Sequence, residues 1–200
     1  IGLIEYGQEI CRDSCPKEWG NAIAGLNINR KDPLTDFVYA VEFLGGSNQF
    51  GSKLTDLFIA SDGYLEMIYE NAVFYTPPDH PRDIRLRPLI DLINMPVAAP
   101  GEKLYGEEEQ MTFYPVDADL GYHVPLIFHE FIEQNGGDPL FGKPLSDPYY
   151  AETGLPRQCF EYLCLEYDKT ANRENSVYLV NMGQRYLEQA QPEMIPFSTK

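Results

Sequence analysis

Residues 37–75 read FVYAVEFLGGSNQFGSKLTDLFIASDGYLEMIYENAVFY. Slid by 91 residues, they lie on 128–166, FHEFIEQNGGDPLFGKPLSDPYYAETGLPRQCFEYLCLE. Phe37 falls on Phe128, Glu42 on Glu133, and Gly45-Gly46 on Gly136-Gly137. Phe50-Gly51 falls on Phe141-Gly142, Leu54 on Leu145, and Asp56 on Asp147. Ala60, Gly63 and Glu70 meet Ala151, Gly154 and Glu161. That is eleven identities in 39 ungapped positions, where about two or three would arise by chance at ordinary composition. Val41/Ile132, Thr55/Ser146, Phe58/Tyr149 and Tyr69/Phe160 are near-matches. The reading is an internal duplication, and it decides the fold class.

Each copy has the same local grammar. Phe37, Val41 and Leu44 recur at helical spacing, as do Ile127, Phe128, Phe131 and Ile132. This predicts helices over Pro33–Leu44 and about Val124–Gln134. Asp32 is a candidate N-cap with Pro33 at the first helical position. A double glycine follows each helix, where a left-handed cap ends it. Next comes F-G-x-x-L-[ST]-D, whose Gly allows a backbone other residues avoid and whose Ser/Thr-Asp pair bonds to nearby N–H groups. A hairpin closes each copy: Tyr64–Tyr69 turning at Glu70-Asn71 into Ala72–Tyr75, and Arg157–Phe160 turning at Glu161-Tyr162 into Leu163–Tyr167.

The four cysteines form two close pairs, Cys11 with Cys15 and Cys159 with Cys164. Four Cys can hold zinc, but C-x3-C and C-x4-C are not the usual knuckle spacings, so two disulfides are the better reading. Disulfides imply an oxidising, extracytoplasmic setting. The second hairpin supports its pair independently. A two-residue turn puts Cys159 opposite Cys164 at a non-hydrogen-bonded position, with Cα atoms about 4.5 Å apart. The first copy has the apolar pair Ile68 and Val73 there.

Copy one, F-L-G-G-x3-F-G-x-x-L-T-D-x-F, then D-G, then Y-E-N-A-V-F-Y, resembles an LGFP-type bacterial cell-surface repeat. Copy two is similar to a related repeat of secreted bacterial proteins. Its landmarks are His123, Phe128, Phe131, Gly136-Gly137, Phe141 to Ser146, Gly154, Gln158, Phe160-Glu161 and Glu166-Tyr167. The likeness covers about 37–76 and 123–183. Copy one departs from it with Ser52-Lys53 where the family turn has x-Pro, and copy two with Cys159 and Cys164. The resemblance implies a non-catalytic extracellular module that tethers a larger protein to the cell envelope.

Candidate chemistry is sparse. His129-Glu130 and Glu133 give H-E-x-x-E, which lacks the second His of a zincin helix and reads as a surface helix face. His80 and His123 have no ligand-spaced partners. Asp117-x-Asp119 and Glu107-Glu108-Glu109 are weighed for calcium but show no EF-hand series, and read as acidic loops. No nucleotide loop or nucleophile elbow is present. No metal and no cofactor is expected. Glu70 and Glu161, being repeated at hairpin tips, are the obvious carboxylate pair for a hydrolase, and their repetition favours a turn role. Aromatics are the remaining material. Tyr149, Tyr150, Tyr162 and Tyr64 are the candidate sugar-binding residues. Against that, alternate hairpin residues can simply form core. Arg82, Arg85 and Arg87 make a short basic set, with Arg85 and Arg87 on one face of a predicted strand over Asp83–Arg87; the set either pairs with acidic groups of the chain or faces a partner.

The chain carries 15 Lys+Arg against 31 Asp+Glu, a formal charge of −16 over 200 residues. That field argues against nucleic acid and anionic membrane surfaces as partners. No run is long and apolar enough to span a bilayer, so no membrane insertion is expected. Hydrophobic residues at 44% suffice for a core. The expected organisation is a lead-in 1–31, repeat one 32–90, a linker 91–122 with a strand at Met111–Tyr114, repeat two 123–188 ending in a strand Ser176–Val180, and a tail 189–200. The expected fold is α+β: tandem helix–turn–β-hairpin repeats packed into one pseudo-twofold domain. The chain opens on Ile1, which suggests a processed product or part of a larger chain. The functional expectation is a non-catalytic extracellular cell-surface module. Its partners would be cell-wall polysaccharide or other surface-protein subunits, in a homo-oligomeric assembly or a longer protein. The alternatives are a carbohydrate-active hydrolase with paired carboxylates and a structural subunit of a surface layer or filament.

Overall fold

In the computed structural model, which describes residues 33–76, 83–104, 110–172 and 175–197, Pro33 opens the first helix. The described residues form a mixed α+β structure of five helices and three small antiparallel sheets. The chain divides into two compact units: unit 1 is the residues up to Arg87 with those from Gln191 onward, and unit 2 is Pro88–Ala190. The disulfide expected between Cys11 and Cys15 falls on residues outside those described. So do the predicted cap Asp32, His80, Arg82 and Glu107-Glu108-Glu109.

In unit 1, helix α1 (Pro33–Phe43) buries Asp36, Phe37, Ala40 and Val41 on one face. Gly45, at φ 117°, ends it, and α2 (Gly46–Phe50) follows. Gly51 then sits at φ 75° under the Glu70 side chain. A Cβ there would come within 2.8 Å of the Glu70 Cβ, so no larger residue fits. The strands of this unit are β1 (Phe58–Ile59), β2 (Leu65–Ile68), β3 (Val73–Thr76), β4 (Arg85–Leu86) and β12 (Ile195–Pro196). They form one sheet in the order β12-β1-β2-β3-β4. Ile68 faces Val73, the register that a two-residue turn requires. Phe50, Met67 and Phe74 are buried in the core, with Phe50 and Phe74 edge to face at 5.0 Å.

Unit 2 holds β5 (Gly101–Glu102), β6 (Met111–Asp117) and β7 (Leu120–Pro125), which form a three-stranded sheet in the order β5-β7-β6. Residues 91–122 are thus richer than a linker with one strand. The hairpin turns through Ala118 at φ 50°, and a bulge between Pro115 and Asp117 absorbs the missing proline N–H. That turn contains Asp117 and Asp119. Helix α3 (Leu126–Gln134) starts two residues later than predicted, because Val124 and Pro125 belong to β7 and Pro125 has an extended ψ of 139°. The Gly137 N–H bonds back to the Ile132 carbonyl, closing the helix end. Helix α4 (Asp138–Phe141) leads to Gly142, also at φ 75°, where a Cβ would lie 2.6 Å from Oε2 of Glu161.

The remaining strands of unit 2 are β8 (Tyr149–Tyr150), β9 (Pro156–Cys159), β10 (Cys164–Tyr167) and β11 (Val177–Leu179). They form its second sheet, in the order β11-β10-β9-β8. Cys159 faces Cys164 and the two form a disulfide with Cα atoms 4.1 Å apart. Their carbonyls accept from Leu145 and Val180 on the outer sides, as expected for a non-hydrogen-bonded pair. Helix α5 (Met182–Gln189), not foreseen from the sequence, buries Met182, Gly183 and Tyr186.

Candidate functional site

The register of unit 2 builds a row of side chains across its four-stranded sheet. Tyr149 faces Arg157, Arg157 faces Glu166, and Glu166 faces Tyr178. Side chains opposite one another share a sheet face. Arg157 is 1% exposed and Glu166 4%. A buried arginine is tolerated only when paired. Here its Nε donates to Glu166 at 2.7 Å, Nη2 also reaches Glu166, and Nη1 donates to Glu152 at 2.9 Å. The Tyr178 hydroxyl donates to the second Glu166 oxygen at 3.1 Å. Burial, then Glu166, pushes the Tyr178 pKa up, so that proton stays in place.

Unit 1 holds a related set. Glu66, fully buried, faces Tyr75, and Arg87 bonds both Glu66 and Asp62. The Arg87 guanidinium lies 5.6 Å from the ring centres of Tyr64 and Tyr75. Arg85 pairs with Asp83. Arg85 and Arg87 are therefore engaged with acidic groups of their own unit.

Along the other side of Tyr149 and Tyr150 runs a groove of about 1030 Å³. Leu126, Ile127 and Phe131 of α3 supply apolar lining, and Tyr167, Asp147 and Glu130 supply polar atoms. Tyr150 is 80% exposed. Tyr149 is half-buried, its hydroxyl 3.6 Å from the Cys159 sulfur, and burial raises its pKa. Large concave sites with apolar walls and a few polar groups are the usual place for a small ligand.

His123 also lines this groove, and its hydrogen bonds define its role. The Leu104 N–H donates to Nε2 at 3.2 Å, so that nitrogen carries a lone pair and Nδ1 the proton. Nδ1 lies 3.4 Å from Asp147, whose Oδ1 also accepts from the His123 backbone N–H at 2.7 Å. The nitrogen that would take a proton in base catalysis is thus occupied. His129 shares a 2.7 Å hydrogen bond with Tyr114, and burial, then Asp138 and Glu133, push Tyr114 up to about 12. No group of three or more His, Cys, Asp or Glu among the described residues is placed to hold a metal.

Of the four sequence-predicted tyrosines, Tyr149 and Tyr150 come together at the groove. Tyr162 is half-buried at the hairpin tip, its N–H bonded to the Phe141 carbonyl. Tyr64 belongs to unit 1, in edge contact with Tyr75 at 5.5 Å. Of the two disulfides expected, only that of Cys159 and Cys164 is part of the described structure. The other pair, Cys11 and Cys15, lies outside the described residues. Glu70 and Glu161 each lie over the glycine of their own unit, and the Glu70 carboxylate accepts from the Ser52 N–H at 2.8 Å. The groove walls from β7 and α3, and the Asp147–His123 link, were not foreseen. The repeated Asp56/Asp147 was the available signal. No helix among the described residues is long and apolar enough to cross a membrane. No protein-family model matches the chain, and no curated protein matches it.

Proposed function

We propose that the chain is a non-catalytic, LGFP-like repeat module of an extracellular cell-surface protein, and that the unit 2 groove binds cell-wall glycan. The observation that carries this is the exposed Tyr150 ring beside a groove with apolar α3 lining and two carboxylates. A sugar ring offers an apolar face to an aromatic and hydroxyls to carboxylate acceptors. The occupied His123 Nε2, and the turn positions of Glu70 and Glu161, favour binding over hydrolysis. The buried Cys159–Cys164 disulfide is in keeping with an oxidising compartment.

The duplication belongs to the same proposal. Its support is detail recurring at the 91-residue offset. Isolated bridges join Lys53 to Tyr69 and Pro144 to Phe160. The Asn71 N–H bonds the Phe50 carbonyl at 3.0 Å, and the Tyr162 N–H the Phe141 carbonyl at 3.2 Å. Gly63 and Gly154 take φ 85° and 77°. At three offset-related positions the polar set is permuted: Glu66, Tyr75 and Arg87 against Arg157, Glu166 and Tyr178.

Pelleting of the full chain with purified insoluble peptidoglycan tests the reading. The chain co-sediments, Tyr150→Ala weakens retention about 3- to 10-fold, and no soluble sugar is released. Failure to co-sediment overturns glycan binding. Release of reducing ends overturns the non-catalytic assignment.

A further inference from the structure

Unit 2 has a second depression, of about 410 Å³, and Tyr149 and Tyr150 line it too. Its charged lining is Glu152, Arg157 and Arg185. Arg157 is fully engaged: Nε and Nη2 serve Glu166, and Nη1 and Nη2 serve Glu152. Arg185, from α5, is not. Its Nη2 donates to Glu152, while Nε and Nη1 meet no acceptor among the described residues. A guanidinium offers five N–H donors in a rigid fork. Whichever Nη2 hydrogen Glu152 takes, one complete two-donor edge of Arg185 is left over. The side chain is 25% exposed, so that edge is within reach of a ligand.

The local charge permits an anion. Arg157 and Arg185 balance Glu152 and Glu166, so this site is neutral within a chain of net charge −16. A two-donor guanidinium edge matches a carboxylate better than a hydroxyl. Tyr150 lines this depression as well as the large groove and is 80% exposed, so its ring is open to a sugar.

We infer that this depression is a subsite for a carboxylate-bearing sugar, such as a hexuronate or a lactyl-substituted amino sugar. The carboxylate pairs with the open edge of Arg185 while the pyranose face lies on Tyr150. The inference rests on the glycan-binding reading and names the class of glycan. Arg185 selects the acidic sugar, and Tyr150 serves acidic and neutral sugars alike.

Calorimetric titration of the full chain with tetragalacturonate and, in parallel, with chitotetraose tests it. The chain binds both. Arg185→Ala weakens tetragalacturonate roughly 10-fold or more and leaves chitotetraose unchanged. Arg185→Ala also cuts the tie between α5 and Glu152, so Glu152→Gln is the control. It weakens that tie while keeping the guanidinium, and leaves tetragalacturonate binding equal or tighter. Binding of chitotetraose alone would overturn the acidic subsite and leave the groove standing. So would an unchanged tetragalacturonate affinity in Arg185→Ala, an equal loss for both sugars in that variant, or a loss in Glu152→Gln matching it. Failure of both sugars to bind would overturn the groove itself.

Discussion

Replacing Glu166 with Leu strands the arginine opposite it. Arg157 is 1% exposed, and Glu166 accepts from its Nε and Nη2. Glu152 remains as a partner, so the loss falls at the low end for a broken buried pair, about 3 kcal/mol. The Tyr178 hydroxyl also loses its 3.1 Å acceptor, which adds about 1 kcal/mol. The total is about 4 kcal/mol. For a unit of this size that lowers the melting temperature by roughly 16 °C or more. Removing both charges, with Arg157→Met and Glu166→Leu together, leaves no unpaired buried ion, so only the lost Tyr178 acceptor remains, about 1 kcal/mol. Differential scanning calorimetry on the wild type, both single variants and the double variant reads the coupling directly. Equal losses in Glu166→Leu and the double variant would refute the reasoning, because they would mean that Arg157 stays solvated without its partner.

Three further outcomes follow from the same structure. Gly142→Ala places a methyl group 2.5 Å from the Glu161 Cβ at a φ of 75°; it costs about 1–3 kcal/mol in urea unfolding, and adding Glu161→Ala recovers little of it, because the Cβ contact and the backbone strain both remain. Replacing Cys159 and Cys164 with Ile and Val, the residues unit 1 uses, removes a constraint worth about 2 kcal/mol for so short a loop and recovers part of it by packing; the stability of unit 2 then no longer responds to reductant. The Arg185 guanidinium, aided by Arg157 and opposed by burial, holds Glu152 at about 2, below its ordinary 4.5. A lowered carboxyl pKa contributes stability above the unfolded value, and that stability is lost as pH falls from about 4.5 toward 2. Glu152→Gln therefore flattens the acid limb of a stability–pH curve, and an unchanged limb would count against the pairing.

The hairpins were legible because their signal is local. A two-residue turn sets the register, and the opposed cysteines follow from it, as Cys159 and Cys164 show. The same counting, carried two residues outward, puts Arg157 opposite Glu166, so the buried row was implicit in the sequence. What could not be read was which residues meet across long separations. Thr55 accepts from Ile68, 13 residues away, and Asp147 from His123, 24 away, although both looked like local turn formers. Ile195–Pro196 pairs with β1 from the far end of the chain. In the hairpin of β6 and β7, Pro115 and Gly121 break the apolar alternation that marks a strand. The groove draws on β7, α3 and β8 together, and no single stretch encodes it.

Glycan binding at the Tyr149–Tyr150 groove is tested most directly by mapping where a sugar touches the chain. Backbone amide chemical shifts of the labelled full chain, followed during titration with chitotetraose, give that map. The account predicts saturable shifts confined to the lining of the groove, with Phe131, Asp147, Tyr149 and Tyr150 moving most, and a midpoint raised about 3- to 10-fold in Tyr150→Ala. Shifts centred on Tyr64 or Tyr162, or none at saturating sugar, would contradict it.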